Sequence, residues 1–172
     1  MSKYCIIGTG RQGTAALYDI IKFANPEQIL LLDSNQESLN RCINKISKVL
    51  EFNVPVESHV IDIENNSNLI NLLNPYDIML SSVPYFYNLQ LTKIAIKSKT
   101  SMVDLGGHTK NVIQQLKYHE EAKNANISIV PDCGMGPGMN ITMALLAMEQ
   151  LDIPKDVYIW DGGLPKNPKP PW

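Results

Sequence analysis

Three glycines near the start of the chain have the spacing of a phosphate-binding turn. They lie between a short apolar run that ends at Ile7 and a helical pattern that begins at Thr14. In this pattern the first glycine makes a tight turn, the second lets the backbone approach a pyrophosphate, and the third lets helix and strand pack closely. The N–H groups and dipole of the helix N-terminus also favour an anion. The predicted dinucleotide-binding turn, which fits G-x-G-x-x-G, is Gly8-Thr9-Gly10-Arg11-Gln12-Gly13.

An acidic residue follows at the distance expected for a ribose ligand. Asp33 lies 20 residues beyond Gly13, at the end of a second apolar run, where a carboxylate can accept hydrogen bonds from a ribose diol. The same carboxylate would repel a 2′-phosphate, and Ser34 next to it carries no positive charge to offset that repulsion. We therefore expect NAD as the cofactor, with Ser34 beside it. NADP remains possible because Arg11 could reach a phosphate from within the turn.

Further cofactor contacts are expected where the third and fourth predicted strands end. In a doubly wound sheet these ends face the adenine and nicotinamide parts of a dinucleotide. Each residue there could instead be a plain loop residue. The candidates are Asp62, Ile63, Ser82, Val83 and Pro84.

Two later glycine clusters end the fifth and sixth predicted strands. Their sequences are VDLGGH and PDCGMGPG, and both lie at the sheet edge where open α/β proteins bind ligands. Glycines let the backbone approach a substrate or a cofactor closely. The polar groups there that could transfer protons are Asp104, His108, Asp132 and Cys133.

The elements that must position these residues alternate along the chain. Short runs rich in Ile, Leu and Val, such as residues 4–7 and 29–32, are followed by apolar residues at helical spacing. This alternation predicts an α/β fold with a doubly wound parallel sheet of the Rossmann type. We expect about six strands in the order 3-2-1-4-5-6, although the sequence does not exclude other orders.

The later elements follow from the same patterns. Ser34 and Glu37 have the spacing of a capping box that would open the second helix. Strands are predicted at 56–63, 77–83, 102–105, 127–130 and 157–160, and helices at 88–97, 110–125 and 139–150.

Length and composition exclude several classes of protein. A chain of 172 residues suits about one domain. Its net charge of -2, without a basic cluster, argues against nucleic acid or a membrane surface as partner. No apolar stretch approaches the roughly 20 residues of a membrane span. The three cysteines lack metal-ligand spacing, so we expect reduced thiols and no metal. The short segment before Gly8 leaves no room for a signal peptide, which predicts a cytoplasmic location; a homo-oligomer remains possible.

Several segments resemble the saccharopine dehydrogenase and lysine 6-dehydrogenase family of nicotinamide-dependent amino-acid dehydrogenases. The resemblance implies that Gly8, Gly10, Gly13 and Asp33 bind the cofactor. It also implies oxidation of the C–N bond of a lysine-like or saccharopine-like amine, with hydride transfer to NAD(P). The matching segments are the glycine turn, VDLGGH at 103–108, IVPDCGMGPGMN at 129–140 and GGLPKNPKPP at 162–171.

Such a reaction needs proton transfer. The amine must be neutral before hydride leaves its α-carbon, and water must then be activated to hydrolyse the iminium. His108 has a suitable unperturbed pKa, and burial or charged neighbours could tune Asp132 or Tyr85. We therefore nominate His108, Asp132 and Tyr85 as catalytic. His108 could equally be a surface residue and Tyr85 a packing aromatic, whereas Cys133 is expected to be a small loop residue.

The C-terminal segment leads us to expect a second domain. In the resembled family, a domain that supplies much of the substrate site follows a proline-rich crossover. We therefore divide the chain into a nucleotide-binding domain at 1–152 and a crossover at 153–172 into a missing, truncated domain. On its own this fragment would be inactive. The alternative for the C-terminal segment is a flexible tail. The alternatives for the function are a stand-alone Rossmann module that senses NAD(H) without catalysis and a dehydrogenase of the carboxynorspermidine or alanine type.

Overall fold

Strands and helices alternate along the chain. In the computed structural model, residues 1–162 and 166–167 are described. The strands are β1 (Lys3–Ile7), β2 (Gln28–Asp33), β3 (Val56–Val60), β4 (Ile78–Ser81), β5 (Ser101–Asp104) and β6 (Ile129–Val130). The helices are α1 (Arg11–Phe23), α2 (Gln36–Ser47), α3 (Asn66–Leu73), α4 (Asn88–Ser98), α5 (Thr109–Leu116), α6 (His119–Asn124) and α7 (Met139–Met148).

All six strands are parallel and form one sheet in the order β3-β2-β1-β4-β5-β6. The predicted doubly wound α/β fold and its strand order are therefore confirmed. The central strand β1 pairs on both sides, so that Ile6 lies opposite Leu31 in β2 and opposite Leu80 in β4. The winding direction reverses at this strand, which leaves a crevice at its carboxyl end.

The two faces of the sheet are covered by different helices. Successive side chains of a strand point to opposite faces, so Ile6 packs with Leu17 of α1 and Leu39 of α2. Ile7 packs on the other face, with Leu91 of α4 and Leu69 of α3. Both faces of the central strands are therefore buried, as the continuous apolar runs predicted.

Three local predictions were wrong. The predicted strand at 157–160 is absent: these residues pair with no strand of the sheet and lie instead beside α7. The predicted helix at 110–125 is two helices, since Tyr118 donates its N–H to the carbonyl of Gln115 and closes α5 with a tightened turn. The N-cap of α2 is Asn35 rather than Ser34, because the Asn35 Oδ1 accepts the N–H groups of the first turn.

Helix α7 is apolar on all sides, yet none of its residues is buried. Leu146 is 61% exposed, and Trp160 in the segment that follows is 89% exposed. A helix that is hydrophobic all round is usually buried.

Much of the predicted proline-rich crossover, residues 163–165 and 168–172, lies outside the described residues.

The contrast between the buried sheet and the exposed α7 predicts a large and a small effect of the same truncation. We expect Leu31→Ala, at a fully buried position of β2, to lower the free energy of unfolding by about 3 kcal/mol. The matched control Leu146→Ala, at an exposed position of α7, should change it by less than about 0.5 kcal/mol. Urea denaturation followed by circular dichroism measures both. Equal losses in the two variants would show that α7 packs onto the domain.

Candidate functional site

The turn between β1 and α1 meets a different steric requirement at each glycine. Gly8 has a φ of +92°, a conformation that residues with a Cβ rarely adopt. A Cβ on Gly13 would collide with the Gly8 carbonyl oxygen, so this glycine lets α1 approach β1. A Cβ on Gly10 would meet no heavy atom of the described residues within 4 Å. The exposed face of Gly10 is therefore open to a ligand.

The first turn of α1 presents unpaired N–H groups at this open face. Gly10 is the N-cap residue, so no side chain caps the helix there, and the first turn holds no acidic residue. Arg11 and Gln12 are exposed on the same turn. Because free N–H groups and the positive end of the helix dipole favour anions, the turn has the electrostatics that a pyrophosphate needs.

Two hydroxyl groups hold the turn in place. Ser82, just after β4, donates its Oγ–H to the Ile7 carbonyl at 3.1 Å and also to the Gly8 carbonyl. Thr14 donates its Oγ1–H to the Gly10 carbonyl at 2.8 Å. The Ser82 hydroxyl is thus directed at the backbone of the turn, where it fixes the position of β1 relative to β4.

The Asp33 carboxylate is fixed beside the turn by hydrogen bonds. Its Oδ2 accepts the Thr9 N–H at 2.7 Å and the Thr9 Oγ1–H at 2.8 Å, and its Oδ1 accepts the Asn35 N–H at 3.1 Å. The side chain is half-buried, whereas Thr9 is buried. In the described part of the chain, Asp33 forms no salt bridge with Lys, Arg or His. Thr9 therefore holds the Asp33 carboxylate in position, a role that the glycine pattern did not reveal.

A cleft of about 350 Å³ joins the turn to the ends of β2, β3 and β4. It brings together seven of the residues predicted to bind the cofactor. Those residues are Gly8, Asp33, Ser34, Asp62, Ile63, Val83 and Pro84. The cleft thus combines a carboxylate at its rim with apolar walls, which suits a nucleoside.

Two aromatic residues that sequence reasoning missed also line this cleft. Phe86 and Tyr87 lie in a short 3-10 helix directly after Pro84. Their rings are 4.6 Å apart between centroids, and Phe86 is more than half exposed. The three consecutive aromatic residues after Pro84 were the available signal, because a proline that ends a strand places the next side chains at the sheet edge.

The three nominated catalytic residues lie on neighbouring loops at the same sheet edge. Tyr85 stacks on His108, with ring centroids 4.9 Å apart and an interplanar angle of 8°. Asp132 follows β6, and its Oδ1 accepts the Gly107 N–H at 3.3 Å. A Cβ on Gly106 would collide with the same carboxylate. The structure therefore brings together three side chains that are far apart in sequence.

Two other polar groups of these loops are not available for proton transfer. Asp104 is fully buried and accepts hydrogen bonds through both carboxylate oxygens. Burial raises the pKa of the Cys133 thiol, and the carboxylates of Asp104 and Asp132 raise that pKa further. The Cys133 thiol therefore stays protonated near neutral pH and is a poor nucleophile.

Two larger cavities lie away from these residues. One, of about 520 Å³, is at the outer edge of the sheet against α5, α6 and β6, and the other, of about 470 Å³, lies between α7 and residues 154–161. Among residues 1–162, 166 and 167, no three His, Cys, Asp or Glu side chains are grouped closely enough to hold a metal ion. None of the described helices has the length and apolar character needed to span a bilayer.

Comparison with known proteins identifies the family. The family model for the saccharopine dehydrogenase NADP binding domain matches residues 4–130. The chain is 28% identical over 130 residues to the mitochondrial alpha-aminoadipic semialdehyde synthase of Bos taurus, an alignment that covers 72% of this chain and 13% of that protein. It is 25% identical over 109 residues to the saccharopine dehydrogenase [NADP(+), L-glutamate-forming] of Saccharomyces cerevisiae, covering 61% and 24%.

A solved structure shows the same fold. Apo saccharopine dehydrogenase (L-Glu forming) from Saccharomyces cerevisiae superimposes with a TM-score of 0.67 at 18% identity, over 87% of this chain and 31% of that chain. The chain therefore spans less than a third of the length of these relatives. Because the family model covers most of the sheet and the glycine turn, this chain belongs to the saccharopine dehydrogenase NADP-binding domain family.

Proposed function

We propose that this chain is the nicotinamide-dinucleotide-binding part of an oxidoreductase that oxidises the C–N bond of a lysine-like or saccharopine-like amine. The observation that carries the proposal is the joining of the glycine turn, the Asp33 carboxylate and the apolar cleft at one sheet edge. When bound there, the nicotinamide ring would accept the hydride. The relatives named above support the class of substrate.

Each part of a dinucleotide has matching residues in this site. The N–H groups at the start of α1 suit the pyrophosphate, and the open face of Gly10 gives it access. Asp33, fixed by Thr9, is directed to accept hydrogen bonds from a ribose diol. The apolar walls beside Phe86 and Tyr87 suit the flat adenine ring.

We assign proton transfer to the stacked pair of Tyr85 and His108 and to Asp132. A neutral His108 imidazole can take a proton from the substrate ammonium group, so that the amine is neutral when its hydride leaves. The Asp132 carboxylate, on the adjacent loop, would accept a proton from the water that hydrolyses the iminium. Tyr85 orients the His108 ring by stacking on it.

We further propose that this chain prefers NAD over NADP. Asp33 would determine this preference, because its carboxylate would lie beside the 2′-phosphate of NADP and repel it. In the described part of the chain no cation is paired with Asp33 to offset that repulsion. The names of the family model and of the yeast relative favour NADP instead. The two cofactors therefore have to be compared directly.

We also propose that residues 1–152 form the nucleotide-binding unit and that residues 153–172 lead into a further domain. The apolar helix α7, none of whose residues is buried, supports this division, since a second domain would cover it. Substrate contacts from that domain would complete the site.

The cofactor preference can be measured by titration. We expect the Kd for NADH to be at least about tenfold lower than that for NADPH, because the Asp33 carboxylate disfavours the additional phosphate. Asp33→Ser should reduce this ratio toward one by removing the charge. Isothermal titration calorimetry with both nucleotides gives the four constants. Tighter binding of NADPH by the natural sequence would overturn the assignment.

Two of the three glycines of the turn, Gly10 and Gly13, give a matched pair of variants. Gly10→Ala should leave the free energy of unfolding nearly unchanged, because its φ of -65° suits alanine and no described heavy atom lies within 4 Å. It should weaken NADH binding by about tenfold or more, since the methyl group faces the pyrophosphate. Gly13→Ala should lower the stability itself by about 1 to 3 kcal/mol, because its methyl group would collide with the Gly8 carbonyl. Unchanged NADH binding by Gly10→Ala would contradict the placement of the pyrophosphate.

The reaction is tested in the full-length natural protein that contains this domain. We expect NAD(P)H formation with lysine, saccharopine or a related amine, and a loss of about 100-fold or more in kcat/KM for His108→Asn. His119→Asn is the matched control, since His119 is exposed in α6, away from the cleft. The proposal fails if none of these amines yields NAD(P)H. Cofactor binding without any amine oxidation would favour a stand-alone sensing module.

A further inference from the structure

Asp104 lies at the end of β5, between the two loops that carry the proposed proton-transfer groups. Its side chain has no exposed surface. Its Oδ1 accepts the N–H of Gly106 at 2.8 Å and the N–H of Asp132 at 3.1 Å. Its Oδ2 accepts the Nε2–H of Gln115 at 2.7 Å. Because all three partners donate, the surroundings are matched to a carboxylate that only accepts.

A chain of buried polar groups continues from this carboxylate into the neighbouring helices. Gln115 Nε2 also donates to Thr92 Oγ1 at 3.1 Å, and Thr92 donates to the Asn88 carbonyl at 2.9 Å. Ser81 in β4 donates to Asn88 Oδ1 at 2.7 Å. Each of these residues is at most 3% exposed. Since an unpaired buried polar group is costly, this network fixes β4, α4, α5 and β5 relative to one another.

The loops at the open end of the network depend on Asp104 for their conformation. Asp132 has a φ of +66°, in the left-handed region, and its N–H is held by the Asp104 carboxylate. The Asp104 carbonyl accepts the next N–H, that of Cys133, at 2.8 Å. The Asp132 carboxylate in turn accepts the Gly107 N–H. One buried residue thus connects both loops through its side chain and its backbone.

The Asp104 carboxylate is stabilised by N–H donors and not by a cation. In the described part of the chain no Lys, Arg or His forms a salt bridge with Asp104, and an apolar side chain there would leave the N–H groups of Gly106 and Asp132 without this acceptor. What the carboxylate adds is a common acceptor for N–H groups from two loops.

We propose that Asp104 is a positioning residue that holds the Gly106–His108 loop and Asp132 in one arrangement at the nicotinamide side of the cleft. The catalytic meaning of this arrangement rests on the proposed function. The arrangement itself can be tested on this chain without turnover.

The test compares Asp104→Ala with Asp104→Asn. The alanine variant removes the acceptor for both loops. The asparagine variant keeps an oxygen for Gly106 and Asp132, and its new amide can donate to Gln115 Oε1, which has no partner among the described residues, once the Gln115 amide rotates. Leu31→Ala, in β2, is the control for a general loss of stability.

Two readouts respond to loop position rather than to folding. The first is the NMR shift of the His108 ring protons, which the stacked Tyr85 ring displaces from the values of His59 and His119. The second is the ratio of the Kd for NADH to the Kd for ADP-ribose, which isolates the nicotinamide part of the ligand.

We expect Asp104→Ala to abolish the displacement of the His108 shift and to raise the Kd ratio by about tenfold, the scale of one hydrogen bond to a charged group. The Kd for ADP-ribose should change by less than about twofold, since the residues proposed to bind it follow β1, β2, β3 and β4 and do not belong to the two loops that Asp104 connects. Asp104→Asn should restore most of the displacement of the His108 shift and bring the Kd ratio back toward that of the natural sequence. Leu31→Ala should change neither quantity. An unchanged shift in Asp104→Ala, an asparagine variant as impaired as alanine, or the same pattern in Leu31→Ala would each overturn the proposal.

If Asp104→Ala does not fold, the unaltered chain provides the test. The amide protons of Gly106 and Asp132 should exchange with solvent at least about tenfold more slowly than that of Gly107, which donates over a longer distance to an accessible carboxylate. Equal exchange rates would overturn the proposal. If the unaltered chain binds neither NADH nor ADP-ribose, the proposed function fails, while the His108 shift and the exchange rates still decide the role of Asp104.

Discussion

The pairing of β1 with both β2 and β4 in parallel is the constraint on which the rest of this structure depends. It puts the carboxyl ends of all six strands at one edge of the sheet, and it reverses the winding at β1. The close contact between Gly13 and the Gly8 carbonyl lets α1 begin directly above that reversal. Ser82 then joins the same turn to β4. Every candidate binding or catalytic residue follows a strand at this edge.

Two aspartates that end different strands of this sheet, β2 and β5, have different environments and different proposed roles. Asp33 is half-buried at the cleft rim and keeps capacity to bind a ligand, with Thr9 fixing its position. Asp104 is fully buried, and its oxygens are occupied by N–H groups of the protein. Each carboxylate accepts three hydrogen bonds from the protein, so burial, rather than residue type, separates the carboxylate proposed to bind a ligand from the one proposed to position loops.

Membership of the saccharopine dehydrogenase NADP-binding domain family accounts for the glycine turn and for the sheet up to residue 130. The sheet edge provides the dinucleotide turn, the cleft and the loops with His108 and Asp132. None of the residues of α7 is buried in the described chain, and the superposition with the solved relative covers only 31% of that chain. Both observations support the proposal that a further domain supplies the substrate contacts.

The sequence by itself determined the alternation of strands and helices, the turn at Gly8–Gly13 and the position of Asp33, because hydrophobic periodicity and glycine spacing are local properties of the chain. It predicted the strand order without excluding other orders. It failed for the segment 157–160, since an apolar run becomes a strand only where a neighbouring edge offers hydrogen bonds. Only the tertiary structure decided that Tyr85 stacks on His108 and that Asp104 is buried beneath Asp132. Those contacts join loops that are 23 to 28 residues apart, and no local pattern encodes which side chains meet after three strands have paired.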